Sequence, residues 1–523
     1  MTLIEKAEAA ATRKRRAKTK KKCRTVKKRV NGRVVRKKVC TKKRKVVVRK
    51  KGPSAAAPPV TTPLSPQPVP AANPPAAADP MVYGGAFGLR EAERLLWRAG
   101  FGPKPGQGAA VAALGLEAAI TSLTRPSGTA TLSGPEPTDD GDPLEPEDRY
   151  AHDHMWWLDR MVRSDQQMIE RIALIFHDWF GLRRDDVGQM DLVMAHMDLY
   201  RKHGLGSFRN LLLEVTKDPA MLIFLNGANS DKNRPNENYG REIMELYALG
   251  ADRGAYTETD IREAARALTG WRTDYVDMVG WANFRYEPGQ HDNRNKTIFG
   301  HTGNFDWRDV VDLCINNPYH RSFFVLKMWS YFVPVPPDAA TQASLEKLYV
   351  DSGWSIIAVV EAILRHPALH TGPPMVKSPV LYSAGILRAL GKPVDSTSLM
   401  YWSENAGQRL FNPPNVSGWK DQAWLDTSTL FNRWRLVYDG LDGLHEQSDG
   451  SYDLTETPQE ALNKAIAFWG GPAIRPDTHS ILMGVAASAV NPLSTGNTAR
   501  NQRAQRQNAL RHLIASSPDL QTC

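Results

Sequence analysis

The sequence has little cysteine and no long apolar run. Its 523 residues include four cysteines, at positions 23, 40, 314 and 523. These are too few for a fold held together by disulfides, and they lack the C-x₂-C spacing of a four-cysteine zinc site. No stretch of about 18 apolar residues is present, which predicts that no transmembrane segment exists. The first residues also lack the apolar core of a signal peptide, so the sequence as written carries no export signal.

Familiar catalytic signatures are also missing. The sequence contains no P-loop, no GxGxxG segment after a strand, no HExxH and no G-x-S-x-G elbow. These absences exclude assignment by motif to the nucleotide-binding, zincin or α/β-hydrolase classes.

The net charge of +11 combines two regions of opposite sign. Residues 1–51 carry 24 Lys and Arg against Glu5 and Glu8, whereas the remaining residues carry 43 basic and 54 acidic side chains. A basic arm, residues 1–52, therefore precedes an acidic body. Such an arm favours an anionic polymer as partner, either nucleic acid or an envelope polysaccharide. It lacks the interleaved aromatic residues that stack on single-stranded nucleic acid.

The basic arm contains a hairpin signal. Asn31-Gly32 is a strong two-residue turn, with valines on both sides. This turn predicts that Val30 faces Arg33 and that Cys23 faces Cys40, at a non-hydrogen-bonded pair whose spacing suits a disulfide. The alternative is a disordered polycation with two incidental cysteines.

The rest of the chain reads as a linker and a helical domain. Residues 53–82 form a Pro/Ala-rich linker, with 10 prolines between positions 53 and 80. Residues 83–516 show helical periodicity, interrupted by short extended segments between 274 and 305. The predicted fold class is mainly α, a large multi-helix globular domain with a few short extended segments. The tail after Ser516 is expected to fray.

The densest pattern of charged and apolar spacing lies between Asn236 and Trp271. Its first half, NENYGREIMELYALG, predicts a helix that Gly250 ends. Arg241 is four residues from both Glu237 and Glu245, which predicts that it pairs with both. Glu242 falls at the edge of the buried face, where a carboxylate needs a partner.

Several segments together resemble a known bacterial family, the domain of unknown function 1800. They are LLWRAGFGPKP, IFHDWFG, FRNLLLEVTKDPAML, NENYGREIMELYALG, YTETDIREAARALTGW, HD-x₃-K-x₃-G and LFNPPNVSGW. The resemblance covers residues 86–436 and implies a large, mostly helical domain. It also implies an exported or envelope-associated setting, in which a sulfatase-like exported protein is a partner. No reaction is implied.

The chain departs from the family pattern at two places. The basic arm stands where an export signal is expected, and Trp179 replaces a histidine in the IFHDWFG segment. The second departure leaves His177 as the histidine of that segment and weakens a metal site built on it.

Histidines and carboxylates of these motifs form the sharpest site hypothesis. The candidate catalytic residues are Glu242, His291 and Asp292. His177 and Asp178, with Glu242 and His291, would hold a divalent metal that activates water for hydrolysis. The competing interpretation is a structural network in which carboxylates orient imidazoles.

Three other polar residues are candidates for ligand binding: Asn238, Arg241 and Lys296. Arg241 could hold an anion bidentately, although a structural ion pair is the simpler interpretation. Tryptophans near loops could stack on sugars or could pack in the core; they are Trp281, Trp307, Trp419 and Trp424.

Three functions remain open at this stage. The first is an envelope-associated helical protein with a metal-assisted hydrolase or ligand-binding site in the central helix pair. The second is a non-enzymatic scaffold for a sulfatase-like exported protein, and the third is a nucleic-acid-associated protein that binds through its arm.

Overall fold

The computed structural model describes residues 21–30, 33–42, 82–419, 424–447 and 452–523, and of the first two ranges only the backbone. Two units are present, one within residues 1–67 and one within residues 68–523.

The first unit contains a β-hairpin. Strands β1 (Lys21–Val30) and β2 (Arg33–Lys42) pair antiparallel. Val30 stands opposite Arg33 and Cys23 opposite Cys40, which is the register that the Asn-Gly turn predicts. The turn, the cysteine side chains and most of the linker lie outside the described residues, so the disulfide stays a prediction.

The second unit is built from helices. The first eleven are α1 (Leu89–Arg98), α2 (Gln107–Ala112), α3 (Leu116–Thr124), α4 (His152–Arg163), α5 (Gln167–Phe180), α6 (Arg184–Val187), α7 (Met190–His203), α8 (Phe208–Thr216), α9 (Pro219–Phe224), α10 (Glu237–Glu242) and α11 (Glu258–Ala267). The later ones are α12 (Trp307–Asn316), α13 (Pro318–Ser330), α14 (Ala339–Asp351), α15 (Ile356–Arg365), α16 (Pro367–Thr371), α17 (Pro379–Leu390), α18 (Ser398–Asn405), α19 (Thr427–Gly440), α20 (Pro458–Phe468), α21 (Pro476–Ser488), α22 (Gly496–Ser516) and α23 (Pro518–Gln521).

Strands in this unit are short and occur as three antiparallel pairs. They are β3 (Thr138–Asp139) with β4 (Asp142–Pro143), β5 (Trp271–Val276) with β6 (Gly280–Tyr286), and β7 (Lys296–Ile298) with β8 (His301–Gly303). The mainly α fold class with a few short extended segments is therefore confirmed. Among the described residues, none of the helices has both the length and the apolar character to cross a membrane.

Local sequence explains where several helices begin. Thr257 caps α11 and forms a reciprocal capping box with Asp260, an arrangement that Thr followed three residues later by an acidic residue favours. Asp218 accepts a hydrogen bond from the Met221 N–H, and Pro219 occupies the first helical position of α9. Each cap satisfies backbone donors that the first helical turn leaves unpaired.

Buried side chains form two apolar clusters. The larger one extends from α1 through α16 and includes parts of α17 and α18. The smaller one joins α17, through Tyr382 and Ile386, to the C-terminal helices α19 to α22. Helix α17 thus contributes to both clusters and connects the C-terminal helices to the main core.

The central motif forms one helix with an α-helical part and a π-helical part. Helix α10 continues into a π-helix, Ile243–Ala248, before Gly250 ends it with a left-handed φ of +89°. A side chain at Gly240 would place its Cβ 2.9 Å from the Ile261 carbonyl oxygen, so glycine permits the close packing of α10 on α11. The sequence predicts the stop at Gly250 but not the π-helical turn.

The expected fraying of the tail is wrong. Residues after Ser516 form α23, and Cys523 exchanges backbone hydrogen bonds of 2.8 and 2.9 Å with Met375. Pairing with a distant segment stabilises this tail, and helical periodicity does not reveal such a pairing.

Candidate functional site

His291 and Lys296 lie in a hydrogen-bonded network. The His291 Nδ1 is 3.0 Å from the Thr269 carbonyl oxygen, and the buried Lys296 ammonium donates to the Phe305 carbonyl at 2.6 Å and lies 3.4 Å from His291 Nε2. Burial lowers the pKa of both side chains. The network holds the β7–β8 region against the end of α11, which matches the structural interpretation of this motif.

Asp292 belongs to an ion-paired cluster beside this network. Arg266 and Arg294 donate to its carboxylate at 2.6 to 2.9 Å, and its own N–H donates to the Thr269 hydroxyl. These hydrogen bonds hold its pKa far below the usual range. A carboxylate engaged in this way is a poor general base.

Arg241 has a different partner from the one that the sequence predicts. It donates to both carboxylate oxygens of Glu258, on α11, at 2.7 and 2.8 Å, and Glu237 is 3.9 Å away. Pairing with Glu245 is therefore wrong, because packing of α11 on α10 brings a closer carboxylate. Asn238 is exposed, and its backbone N–H donates a hydrogen bond to the Asn236 side-chain oxygen.

Glu242 is half-buried at the junction between α10 and the π-helix. Burial raises its pKa to about 7, and the charge of Glu245 adds to the effect. None of the hydrogen bonds or ion pairs within the described residues involves its carboxylate. The sequence predicts that this carboxylate needs a partner, and the described part of the chain gives it no hydrogen bond or ion pair.

The metal hypothesis requires Glu242, His177, Asp178 and His291 to meet. In the ranges that the structure describes, no three His, Cys, Asp or Glu side chains are grouped so that they could hold a metal ion. The four-residue set is therefore not assembled, since each of these residues belongs to a separate environment.

His177 is fully buried among aromatic rings. Its ring centroid lies 5.4 Å from that of Trp157, 6.0 Å from Phe411 and 5.2 Å from Trp419. Neither ring nitrogen has a hydrogen-bond partner, and burial lowers its pKa to about 3. The imidazole is neutral at every physiological pH, and its two polar atoms are unsatisfied.

Hydrogen bonds connect the IFHDWFG segment to the central motif. The Trp179 indole N–H donates to the Tyr247 carbonyl at 3.1 Å, and the Tyr247 hydroxyl donates to the Phe180 carbonyl at 3.0 Å. Lys327, on α13, donates to the Leu246 carbonyl at 3.1 Å and lies 4.5 Å above the Trp179 ring. The tryptophan that departs from the family pattern thus supplies a donor that helps to hold the end of the central helix.

The late NVSGW segment packs against the same end of α5. A Cβ on Gly181 would lie 2.2 Å from the Val416 carbonyl oxygen, and a Cβ on Gly418 would lie 2.3 Å from the Asp178 carboxylate. Both glycines have positive φ. The Trp419 N–H and the Tyr331 hydroxyl donate to Asp178 at 2.7 and 2.6 Å. Asp178 therefore joins the loop to the helix.

A cavity of about 250 Å³ lies where these segments meet. We call it the cationic pocket, because Arg98, Arg171 and Lys327 line it together with Asp178, the one acidic side chain among the lining residues, and with Cys523, whose negative charge acts on the two arginines. Trp419 and Trp424 form part of its wall. Side chains from α1, α5, α13 and the late loop thus converge on one cavity.

The cations of this pocket are poorly hydrated. Burial lowers the pKa of Lys327 to about 8 and that of Arg171 to about 10, and it lowers the pKa of Arg98. Arg98 donates to the main-chain oxygen of Cys523 at 2.6 Å, and Arg171 donates to the Tyr331 carbonyl at 3.2 Å. Positive groups that have lost much of their water are suited to hold an anion.

Sequence reasoning missed Arg98, Arg171 and Lys327. Arg98 lies within the LLWRAGFGPKP motif, which offered a signal for it, whereas Arg171 and Lys327 lie on amphipathic helices where a basic residue is ordinary. Their shared cavity depends on helix packing that the sequence does not show.

The fold and the pocket define a mainly helical protein whose recognised motifs meet around a cation-lined cavity. Residues 94–522 match the family described as "Protein of unknown function (DUF1800)", and the chain belongs to that family. Comparison with curated proteins and comparison with solved structures find no match.

Proposed function

We propose that this protein binds a small anionic ligand in the cationic pocket. The carrying observation is the convergence of Arg98, Arg171 and Lys327 on one cavity whose lining residues include one acidic side chain, that of Asp178. An acidic sugar is the ligand class that suits the site best. Its anionic group would pair with the cations, and its ring would stack on the Trp419 wall.

Ligand binding accounts for the site better than metal-assisted hydrolysis does. Asp178 already accepts two hydrogen bonds, from Tyr331 and Trp419, and the carboxylate of Asp292 is held between two arginines. Cations without an activated nucleophile beside them support recognition more than reaction.

Thermal unfolding with matched pairs of solutes tests the proposal. Galacturonate and sulfate are expected to raise the melting temperature, while galactose and chloride at the same ionic strength are not. A ligand at 100 times its Kd stabilises the folded state by about 2.7 kcal/mol. If neither anion stabilises the protein more than its control, the proposal is refuted.

A variant pair assigns the binding to this pocket. Lys327→Met removes one lining cation, and we expect it to weaken anion binding about tenfold, which corresponds to about 1.4 kcal/mol. Arg253→Met is the matched control. Arg253 also donates to a helix-end carbonyl, that of Leu249, and lies above an aromatic ring, that of Tyr319, but it does not line the pocket. Equal loss in both variants would contradict the assignment.

The basic arm supports a second binding function. The backbone register sets Lys21 opposite Lys42 and Lys27 opposite Arg36. Like charges at opposed positions destabilise a hairpin, and an anionic polymer would relieve the repulsion. Deletion of residues 1–52 should abolish retention on heparin at moderate salt. Retention of the truncated protein would contradict this assignment.

The envelope setting and the sulfatase-like partner rest on the family resemblance alone. Immunoblotting of fractionated cells tests the first. Co-purification of a sulfatase-like protein, without any anion binding by the pure chain, would favour the scaffold alternative.

A further inference from the structure

A second cavity, of about 400 Å³, shares Cys523 with the cationic pocket but has a different chemistry. Its wall includes Glu93 and Trp97, which are four residues apart on α1 and therefore lie on one face of that helix. Lys377, just before α17, lines the same cavity. The Glu93 carboxyl group and the Lys377 amine therefore border a single space, which the carboxylate of Asp519, paired with Arg475, also lines.

Lys377 is held in a buried and defined position. Its side chain is 2% exposed, and its ammonium nitrogen lies 2.8 Å from the Leu520 carbonyl oxygen and 3.5 Å from the Trp97 ring centroid. The backbone is fixed as well, since the Lys377 N–H donates to the Gln521 carbonyl at 3.0 Å. Burial lowers the pKa of this amine to about 7. A large fraction of Lys377 is therefore the nucleophilic free amine at neutral pH.

Glu93 provides the complementary group. It is half-buried, and the positive charge of Lys377 acts on it, although the described contacts include no ion pair between the two. Burial raises its pKa to about 7. A carboxyl group of this kind can both donate and accept a proton near neutral pH.

We propose that Lys377 is the amine of a covalent site for carbonyl compounds, with Glu93 as its proton carrier. The Lys377 nitrogen attacks the carbonyl carbon, a C–N bond forms as the C=O π bond opens, and a proton passes from the nitrogen to the former carbonyl oxygen, which becomes a hydroxyl group. Glu93 then gives a proton to that hydroxyl, the C–O bond breaks and water leaves. The nitrogen lone pair forms the C=N bond, and Glu93 takes back the proton that the nitrogen loses. Amine and carbonyl thus become imine and water, without an oxidant or a reductant.

The cavity indicates the substrate class. Arg90 and Arg94 lie on the same wall as Glu93, so a carbonyl compound with an adjacent carboxylate can be held by charge. A 2-oxo acid combines these two groups. The proposal is independent of anion binding in the cationic pocket.

Reductive trapping tests the proposal directly. The full-length protein is incubated at neutral pH with pyruvate and cyanoborohydride, and adducts are located by peptide mass spectrometry. We expect the carboxyethyl adduct to form at Lys377 at least about ten times faster than at the exposed Lys347, because a surface lysine is almost entirely protonated at this pH. Lys296 is the buried control, since burial lowers its pKa as well but it lines neither of the two cavities.

Two variants complete the test. Glu93→Gln is expected to slow adduct formation at Lys377 severalfold, and Lys377→Arg to abolish the adduct at that position, with circular dichroism to confirm that both variants fold. Labelling confined to exposed lysines, or labelling of Lys296 as fast as Lys377, would overturn the covalent site. An unchanged rate in Glu93→Gln would overturn the role of Glu93.

Discussion

Replacement of Glu242 by glutamine should stabilise the protein in a way that depends on pH. The pKa of Glu242 rises from 4.5 to about 7 on folding, so the folded state binds more protons than the unfolded state between these values. The stability of the wild-type protein is therefore highest below pH 4.5, the pKa of Glu242 in the unfolded state. It decreases as the pH rises through about 7, the pKa of Glu242 in the folded state. The Gln side chain has the same shape without the charge, and it removes this loss.

The magnitude follows from the size of the pKa shift. A shift of one unit corresponds to about 1.4 kcal/mol, which gives an upper bound of about 3.5 kcal/mol for Glu242. Because the side chain is only half-buried, solvent screening reduces this value, and we expect about 1 to 2 kcal/mol. The gain of Glu242→Gln over the wild type should therefore grow from near zero at about pH 4.5 to this value at about pH 8.

Denaturant unfolding at several pH values measures the effect. Glu237→Gln is the matched control, because Glu237 lies on the same helix but is exposed, and its substitution should change stability by no more than about 0.5 kcal/mol at any pH. If the wild type and Glu242→Gln show parallel pH profiles, Glu242 does not carry the burial cost that we assign to it.

Three further predictions concern groups outside the central helix. His177→Phe should raise the melting temperature, because it removes two buried nitrogens that have no hydrogen-bond partner among the described residues. His320→Phe should lower it, because the His320 nitrogens hydrogen-bond with the Ala248 carbonyl and the Tyr349 hydroxyl. Melting temperatures that shift in the same direction in both variants would contradict this. Gly418→Ala should cost about 2 kcal/mol or more in denaturant unfolding, since the added Cβ meets the Asp178 carboxylate and the backbone has positive φ; a cost within about 0.5 kcal/mol would show that the loop adjusts freely. Thiol labelling of the native protein should leave Cys23 and Cys40 unmodified if the compartment is oxidising, and their labelling in protein taken from such a compartment would exclude the disulfide.

Local signals in the sequence predict much of the fold. The Thr257 capping box, the helix stop at Gly250 and the register around Asn31-Gly32 depend on neighbouring residues alone, and the structure has all three. The π-helical turn from Ile243 and the ordered tail after Ser516 depend on packing against distant segments. Sequence periodicity contains no information about such contacts.

The candidate site is less predictable, because it also depends on contacts between segments that are distant in the sequence. Arg241 and Glu245 are correctly spaced for a helical ion pair, but α11 supplies the nearer carboxylate of Glu258. The exception is Glu242, which the helical projection places at the edge of the buried face without a partner. That prediction needs only the geometry of one helix, whereas the cationic pocket requires four segments to be placed together.

The ends of helices explain why the recognised motifs contact each other. The last carbonyls of a helix have no partner within it, and at the end of the central helix the Leu246 and Tyr247 carbonyls accept from Lys327 and Trp179. The polar motif residues that satisfy such groups are committed to the fold. Function is therefore best sought among polar groups that the fold leaves incompletely neutralised. By this criterion the cations of the cationic pocket and the amine of Lys377 are better candidates for functional groups than the histidines and carboxylates of the sequence motifs.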